Sequence, residues 1–169
     1  TVRSTGTAAG GLIGINMTSG RLNIPVKEST SRIIAADSQL TVRGTEKVGG
    51  IVGINRGTLS GTASALLVSE ARLVRATGGA AGGAIGAQER SASLSYIENR
   101  CASVIADKNT AGGIVAENAA ESTVSQCRTT SGTISGSDGY ASGIAAENRG
   151  TIRTCTVTNT KISSLGVQE

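Results

Sequence analysis

An eight-residue pattern recurs five times and constrains the fold of this chain more than any other feature. It occupies Ala9–Asn16 (AGGLIGIN), Val48–Asn55 (VGGIVGIN), Ala81–Gln88 (AGGAIGAQ), Ala111–Asn118 (AGGIVAEN) and Ala141–Asn148 (ASGIAAEN). Its second glycine falls at Gly11, Gly50, Gly83, Gly113 and Gly143, spaced 39, 33, 30 and 30 residues apart. A period of this length marks a repeat architecture, in which one unit cannot bury its own apolar face and stacking supplies the core.

Further apolar positions keep the same phase. Leu22, Leu59, Leu94, Val124 and Ile152 follow the glycine by 11, 9, 11, 11 and 9 residues. A third position is Val104, Ile134 and Ile162 in the last three copies, with Leu40-Thr41-Val42 and Leu73-Val74 as its displaced members in the first two. Gly, Ser, Thr, Asn and Asp clusters separate these β-branched runs, which is the signature of strands and turns. Helical spacing is absent at useful length; only Ala63 to Ala76 admits a helical turn. The expected fold is all-β: a parallel β-helix, or β-solenoid, of about five coils with three short strands per coil and insertions in the first two. The 169 residues make one repeat domain, with repeats near 9–47, 48–80, 81–110, 111–140 and 141–169. At a strand spacing of roughly 4.8 Å, five coils give a body about 24 Å long.

Composition agrees with a narrow interior. There are 24 Gly, two Tyr and no Phe or Trp. Histidine is absent as well, which removes the usual general base, the Ser-His and Cys-His nucleophile pairs and the commonest zinc ligand. The reading is therefore not an enzyme, with no catalytic residue, no metal and no cofactor. The 16 Lys and Arg are scattered, with no interleaved aromatics to stack on bases, so no nucleic-acid partner is expected. No apolar run reaches the length of a membrane span, so no membrane insertion is expected either.

Parallel stacking would turn equivalent residues into vertical columns. The fifth residue after each glycine is Asn16, Asn55, Gln88, Asn118 and Asn148, a candidate amide ladder in which side chains donate and accept along the axis. Independent turn asparagines are the plainer alternative, but Gln88 keeps the amide while being a poorer turn residue. The third residue is Gly14, Gly53, Gly86, Ala116 and Ala146, a column that must stay small. Three after the second apolar position come Pro25, Thr62, Ile97, Cys127 and Cys155, so Cys127 and Cys155 should be adjacent, buried and reduced. With Cys101 the cysteines number three, which argues against a disulfide framework.

Glu117 and Glu147 share a column, and the aspartates Asp37, Asp107 and Asp138 are dispersed, so the clustered carboxylates of a polysaccharide-cleaving β-helix are missing. Strand alternation from the glycine puts the second and fourth following residues outward. Ile13, Ile15, Val52 and Ile54 then form an apolar contact face on the first coils. Such a strip calls for cover, by the inserts after Leu22 and Leu59, with Leu66, Leu67 and Val68 as the covering side chains, or by a partner.

The segments Gly49 to Leu59 (GGIVGINRGTL) and Ser142 to Cys155 (SGIAAENRGTIRTC) resemble the GLUG repeat. That motif occurs in large bacterial surface and secreted proteins, including regions upstream of immunoglobulin A protease-type metallopeptidases. The resemblance covers Ala9 to about Ile162. It implies an extracellular repeat segment of a longer protein, and not the peptidase activity, whose zinc motif needs histidine. The implied role is a rigid stalk or an adhesive surface at the bacterial cell surface. Its partners would be other domains of a longer protein, copies of itself, or a host glycan or protein. The other reading of the residues is a self-assembling subunit that stacks end to end into a fibre, and a carbohydrate-acting enzyme is a distant third.

Overall fold

The computed structural model describes residues 1–23 and 32–164. It is all-β, with no helix among those residues. The chain winds as a solenoid whose strands pair in parallel, each with its equivalent in the next coil. Every coil carries five short strands rather than three, and five sheets run along the axis. In the second coil the strands are Thr41–Gly44, Lys47–Gly49, Val52–Asn55, Thr58–Ser60 and Leu66–Ser69. Sheets 1 to 5 are named after them in that order. Each holds one strand per coil for five coils, and sheet 1 gains a sixth, Thr160–Ser164. Strands of two to five residues are too short to show a period of two in the sequence, so two of the five left no signal there.

The apolar columns keep the register that repeat spacing implies. Leu22, Leu59, Leu94, Val124 and Ile152 pair successively along sheet 4. Val42, Val74, Val104, Ile134 and Ile162 do so along sheet 1, below Val2. Full burial of one such side chain contributes about 1.5–3 kcal/mol. Residues 66–69 and 73–76 are ordinary strands, so the helical turn allowed there is absent. A hydrophobic stretch of that length is ambiguous between the two states, and stacking between coils decides it.

Two apolar cores run side by side along the axis. One gathers Val42, Val48, Val74, Ala81, Val104 and Ile134 from sheets 1 and 2. The other gathers Ile51, Leu59, Leu67, Ile85, Leu94 and Ile97 from sheets 3, 4 and 5. The repeated glycine stands between them, where opposite walls of the coil meet. A Cβ on Gly83 would collide with the Gly113 carbonyl oxygen of the next coil and with the Asn99 side chain across the coil. Ser69 Oγ and Thr129 Oγ1 close the pinch by donating to the Gly83 and Gly143 carbonyls, each at 2.6 Å. Small residues are thus required by contact between two backbones, which a larger side chain would force apart.

Candidate functional site

The amides of the repeat form one continuous chain of hydrogen bonds. Asn16 Nδ2 donates to Asn55 Oδ1 at 2.8 Å, and Asn55 Nδ2 to Gln88 Oε1 at 3.5 Å. Gln88 Nε2 donates to Asn118 Oδ1 at 3.3 Å, and Asn118 Nδ2 to Asn148 Oδ1 at 2.7 Å. Asn16, Asn55, Gln88 and Asn118 are buried, and Asn148 is exposed. Gln88 also donates to the Ala92 and Thr123 carbonyls, and Asn55 accepts from the Gly57 N–H. A buried amide needs partners for donors and acceptors alike, and the adjoining turns supply the remainder.

The expected outward face divides. Ile13 and Val52, at the second position, pack in the core of sheets 3 to 5, where Val52 is fully buried. Ile15 and Ile54, at the fourth position, lie outside that core, Ile15 exposed and Ile54 nearly covered. Simple alternation fails because the chain turns a corner at the glycine pair. The first and second positions, Ile51 and Val52, then both point inward. The third position is skipped in the register, where Val52 pairs with Ile85 and Ile54 with Ala87. There a Cβ on Gly86 would come within 2.7 Å of the Gly53 carbonyl oxygen, and sheet 2 lies directly against it. The described part of the insert after Leu59 gives no cover to this face, and Leu66 lies on a strand of sheet 5. Leu67 and Val68 belong to sheet 5 and are themselves buried.

Ile54 and Ala87 instead floor an open groove of about 380 Å³ on the outside of sheet 3. Lys47 and Glu117 close over it as an ion pair spanning the third coil, with Glu147 and Arg149 also on its walls. Glu117 and Glu147 are in register on adjacent coils, as their shared column implied. The Lys47 stem covers apolar floor while its ammonium reaches the carboxylate. A groove with an apolar floor and charges of both signs along its wall, Glu89 among them, suits an extended polar ligand.

Cys127 and Cys155 are neighbours: each immediately precedes the paired residues Arg128 and Thr156, and the Thr156 N–H donates to the Cys127 carbonyl at 3.1 Å. All three cysteines are free. Cys127 is buried, whereas Cys155 is only half-buried, because the strand it precedes, Thr156–Val157, is the last of sheet 5. The Cys127 thiol facing it holds Cys155 down to about 6. Burial and that same neighbour push Cys127 well up. The rest of the column differs from the expected one. Ile97 pairs with Leu67 and Leu67 with Ile33, which displaces Thr62 into a preceding loop, while Pro25 lies outside the described residues.

One buried charge cluster escaped the sequence reading. The side chain of Glu98 is fully buried, with Arg100 Nε at 2.7 Å, Arg128 Nη2 at 3.1 Å, Thr130 Oγ1 at 2.9 Å and Arg32 Nε at 3.6 Å. Burial works to raise its carboxyl, but hydrogen bonds from Arg100, Arg128 and Thr130 outweigh it and hold the group below its usual range. A signal existed: Arg128 stands 30 residues after Glu98, one repeat on and in the same column. Among the described residues no three His, Cys, Asp or Glu side chains gather as a metal site.

Parallel in-register coils with internal side-chain columns define a β-solenoid repeat protein. No family model, curated protein or solved structure matches the chain.

Proposed function

We propose that this chain is a non-catalytic, extracellular solenoid segment of a bacterial cell-surface protein, a rigid stalk that presents a binding surface along one side. The observation that carries the reading is the register kept from coil to coil, interrupted among the described pairs by one bulge in sheet 5, where Val68 pairs with Ile34 and Ser69 with Ala36. The amide ladder and the apolar columns run the length of the body without a hinge among the described residues. Such a rod holds its ends at a fixed separation. The resemblance to GLUG repeats supports the surface location, and the groove beside Lys47 and Glu117 is the preferred binding face. An array of host glycans and matrix proteins tests it. Binding by the native chain that drops at least about tenfold in Lys47→Glu would support the adhesive face, since reversing one charge removes the Glu117 pair and adds repulsion. Retention of every array signal by Lys47→Glu would overturn that assignment. Release of products from acidic polysaccharides would overturn the non-catalytic reading.

The exposed end coils favour a second reading, stacking of copies end to end into a fibre. Leu12 (52% exposed) and Ile15 lie on the first coil, with Val157 and Ile162 (43% exposed) on the last. Electron microscopy of the pure chain separates the two readings.

A further inference from the structure

The cysteines of sheet 5 are not used by the reading above, and their placement carries an inference independent of it. We propose that Cys127 and Cys155 form a reactive dithiol that closes into an intrachain disulfide across adjacent coils, by exchange with a small-molecule disulfide. Three features of the site support this. The two residues stand at equivalent places on adjacent coils, each one residue before the paired strands Arg128–Thr129 and Thr156–Val157. Strands in a sheet stand roughly 4.8 Å apart, inside the window of about 4.4–6.8 Å between Cα atoms that a disulfide spans.

Second, the two thiols take equivalent places: Cys127 Sγ donates to the Ser125 carbonyl at 3.1 Å and Cys155 Sγ to the Arg153 carbonyl at 3.2 Å, with the Val124 carbonyl of the preceding coil 3.9 Å from Cys155 Sγ, while Ile97 continues the column without offering a third thiol. Cβ atoms of a disulfide lie about 3.8 Å apart, so closure from a strand spacing of about 4.8 Å needs a shift of about 1 Å. Thr156–Val157 can supply it, because among the described residues this strand pairs on one side only and both its residues are exposed.

Third, access is asymmetric in the order the chemistry needs. Cys155 is half-buried and meets the reagent, while Cys127 is buried behind it. The depressed thiol of Cys155 makes it the attacking group near neutral pH. Its thiolate attacks one sulfur of the small disulfide, forms a mixed disulfide and releases the first thiolate. Cys127 then gives its proton to that leaving thiolate and attacks the Cys155 sulfur, expelling the second half of the reagent as a thiolate, which takes from solvent the proton that Cys155 released on ionising. In sum, the protein dithiol loses two electrons and two protons, and one small disulfide becomes two thiols. Cys101 serves as an internal control. It is buried beside Ser69, and burial pushes its thiol up to about 12.

The test treats the full native chain with oxidised glutathione near neutral pH, quenches with an alkylating agent and maps the peptides. The expected product is a Cys127–Cys155 cross-link, with Cys155 consumed at least about tenfold faster than Cys101. Cys127→Ser should instead accumulate a stable glutathione adduct on Cys155. Should that variant not fold, the native chain still decides. A lasting glutathione adduct on native Cys155, a dimer through two copies of Cys155, or no reaction under conditions where the unfolded chain reacts would each overturn the proposal.

Discussion

Asn118 shows why a buried amide recurs in each coil. It accepts from Gln88 Nε2 and from Ser122 Oγ at 2.6 Å, and donates to Asn148. Replacing it by Ala removes three hydrogen bonds from a site closed to water, so Asn118→Ala should cost about 1–3 kcal/mol. Asn148 accepts from Asn118 and from the Gly150 N–H, but it is exposed and water can take its place, so the same change there should cost less, under about 1 kcal/mol. Urea midpoints compare the two, and equal losses would show that the ladder contributes nothing beyond its turns. Glu98 gives a pH dependence with a definite sign. Its carboxyl lies lower in the folded chain than in the unfolded one. The stability it contributes is therefore complete above the ordinary carboxylate range and is lost as pH falls through the depressed folded value. Denaturation midpoints followed from neutral to acidic pH should fall more steeply for the native chain than for Glu98→Gln, which is less stable at neutral pH because the arginines lose their counter-charge.

Glycine placement follows the spacing between sheets. At Gly83 a Cβ meets backbone of the next coil and the Asn99 side chain together, and neither can retreat without opening the pinch between the two cores. Gly14, the third residue after the glycine pair of the first copy, is the contrast: its Cβ would meet nothing closer than the Ala8 carbonyl at 4.0 Å. We expect Gly83→Ala to cost about 3 kcal/mol, at the upper end for overpacking. Gly14→Ala should stay within about 0.5 kcal/mol. Thermal unfolding of both variants checks this, and a tolerant Gly83 would mean that the two walls can separate. Corners between sheets 4 and 5 use another device. Tyr96, Gln126 and Thr154 occupy equivalent positions with φ of 55°, 52° and 50°. A left-handed residue recurs there without glycine, held in place by the strands on either side.

Along the axis the solenoid is nearly one-dimensional, since strand pairing joins each coil only to its neighbours and just the Lys47–Glu117 and Arg32–Glu98 ion pairs, among the described residues, reach across an intervening coil. Its ends are consequently unlike its middle. The same ladder that is closed at Asn55 and Gln88 ends in exposed Asn148, and the sheet 1 column ends in Ile162, 43% exposed. Unpaired strand edges with apolar side chains recruit further strands. The isolated chain should therefore associate end to end as concentration rises, and Ile162→Glu should suppress this by placing an uncompensated charge in the contact. Sedimentation velocity reads the outcome. A strictly monomeric native chain at high concentration would remove the fibre reading and leave the stalk.

Much of this architecture was legible in the residues because parallel stacking converts linear spacing into vertical contact. Once Gly50, Gly83 and Gly113 are aligned, the columns through Leu94, Val104 and Asn118 follow by counting, and so does the adjacency of Cys127 and Cys155. Counting fails wherever two parts of one coil meet, since no repeat spacing reports on distances across the interior. The inward turn of Val52 depends on a corner at the glycine pair. The contact between Gly83 and Asn99 depends on how near the opposite walls come. Lys47 reaches Glu117 across 70 residues of chain, past a coil whose Gly86 and Ala87 are small enough to let it pass. Repeat period, column membership and the demand for small residues belong to the sequence, because each coil is matched against its own copy. The number of sheets, the division of the interior into two cores, the burial of Glu98 and the groove were decided by the tertiary structure, because they arise where unlike segments pack together.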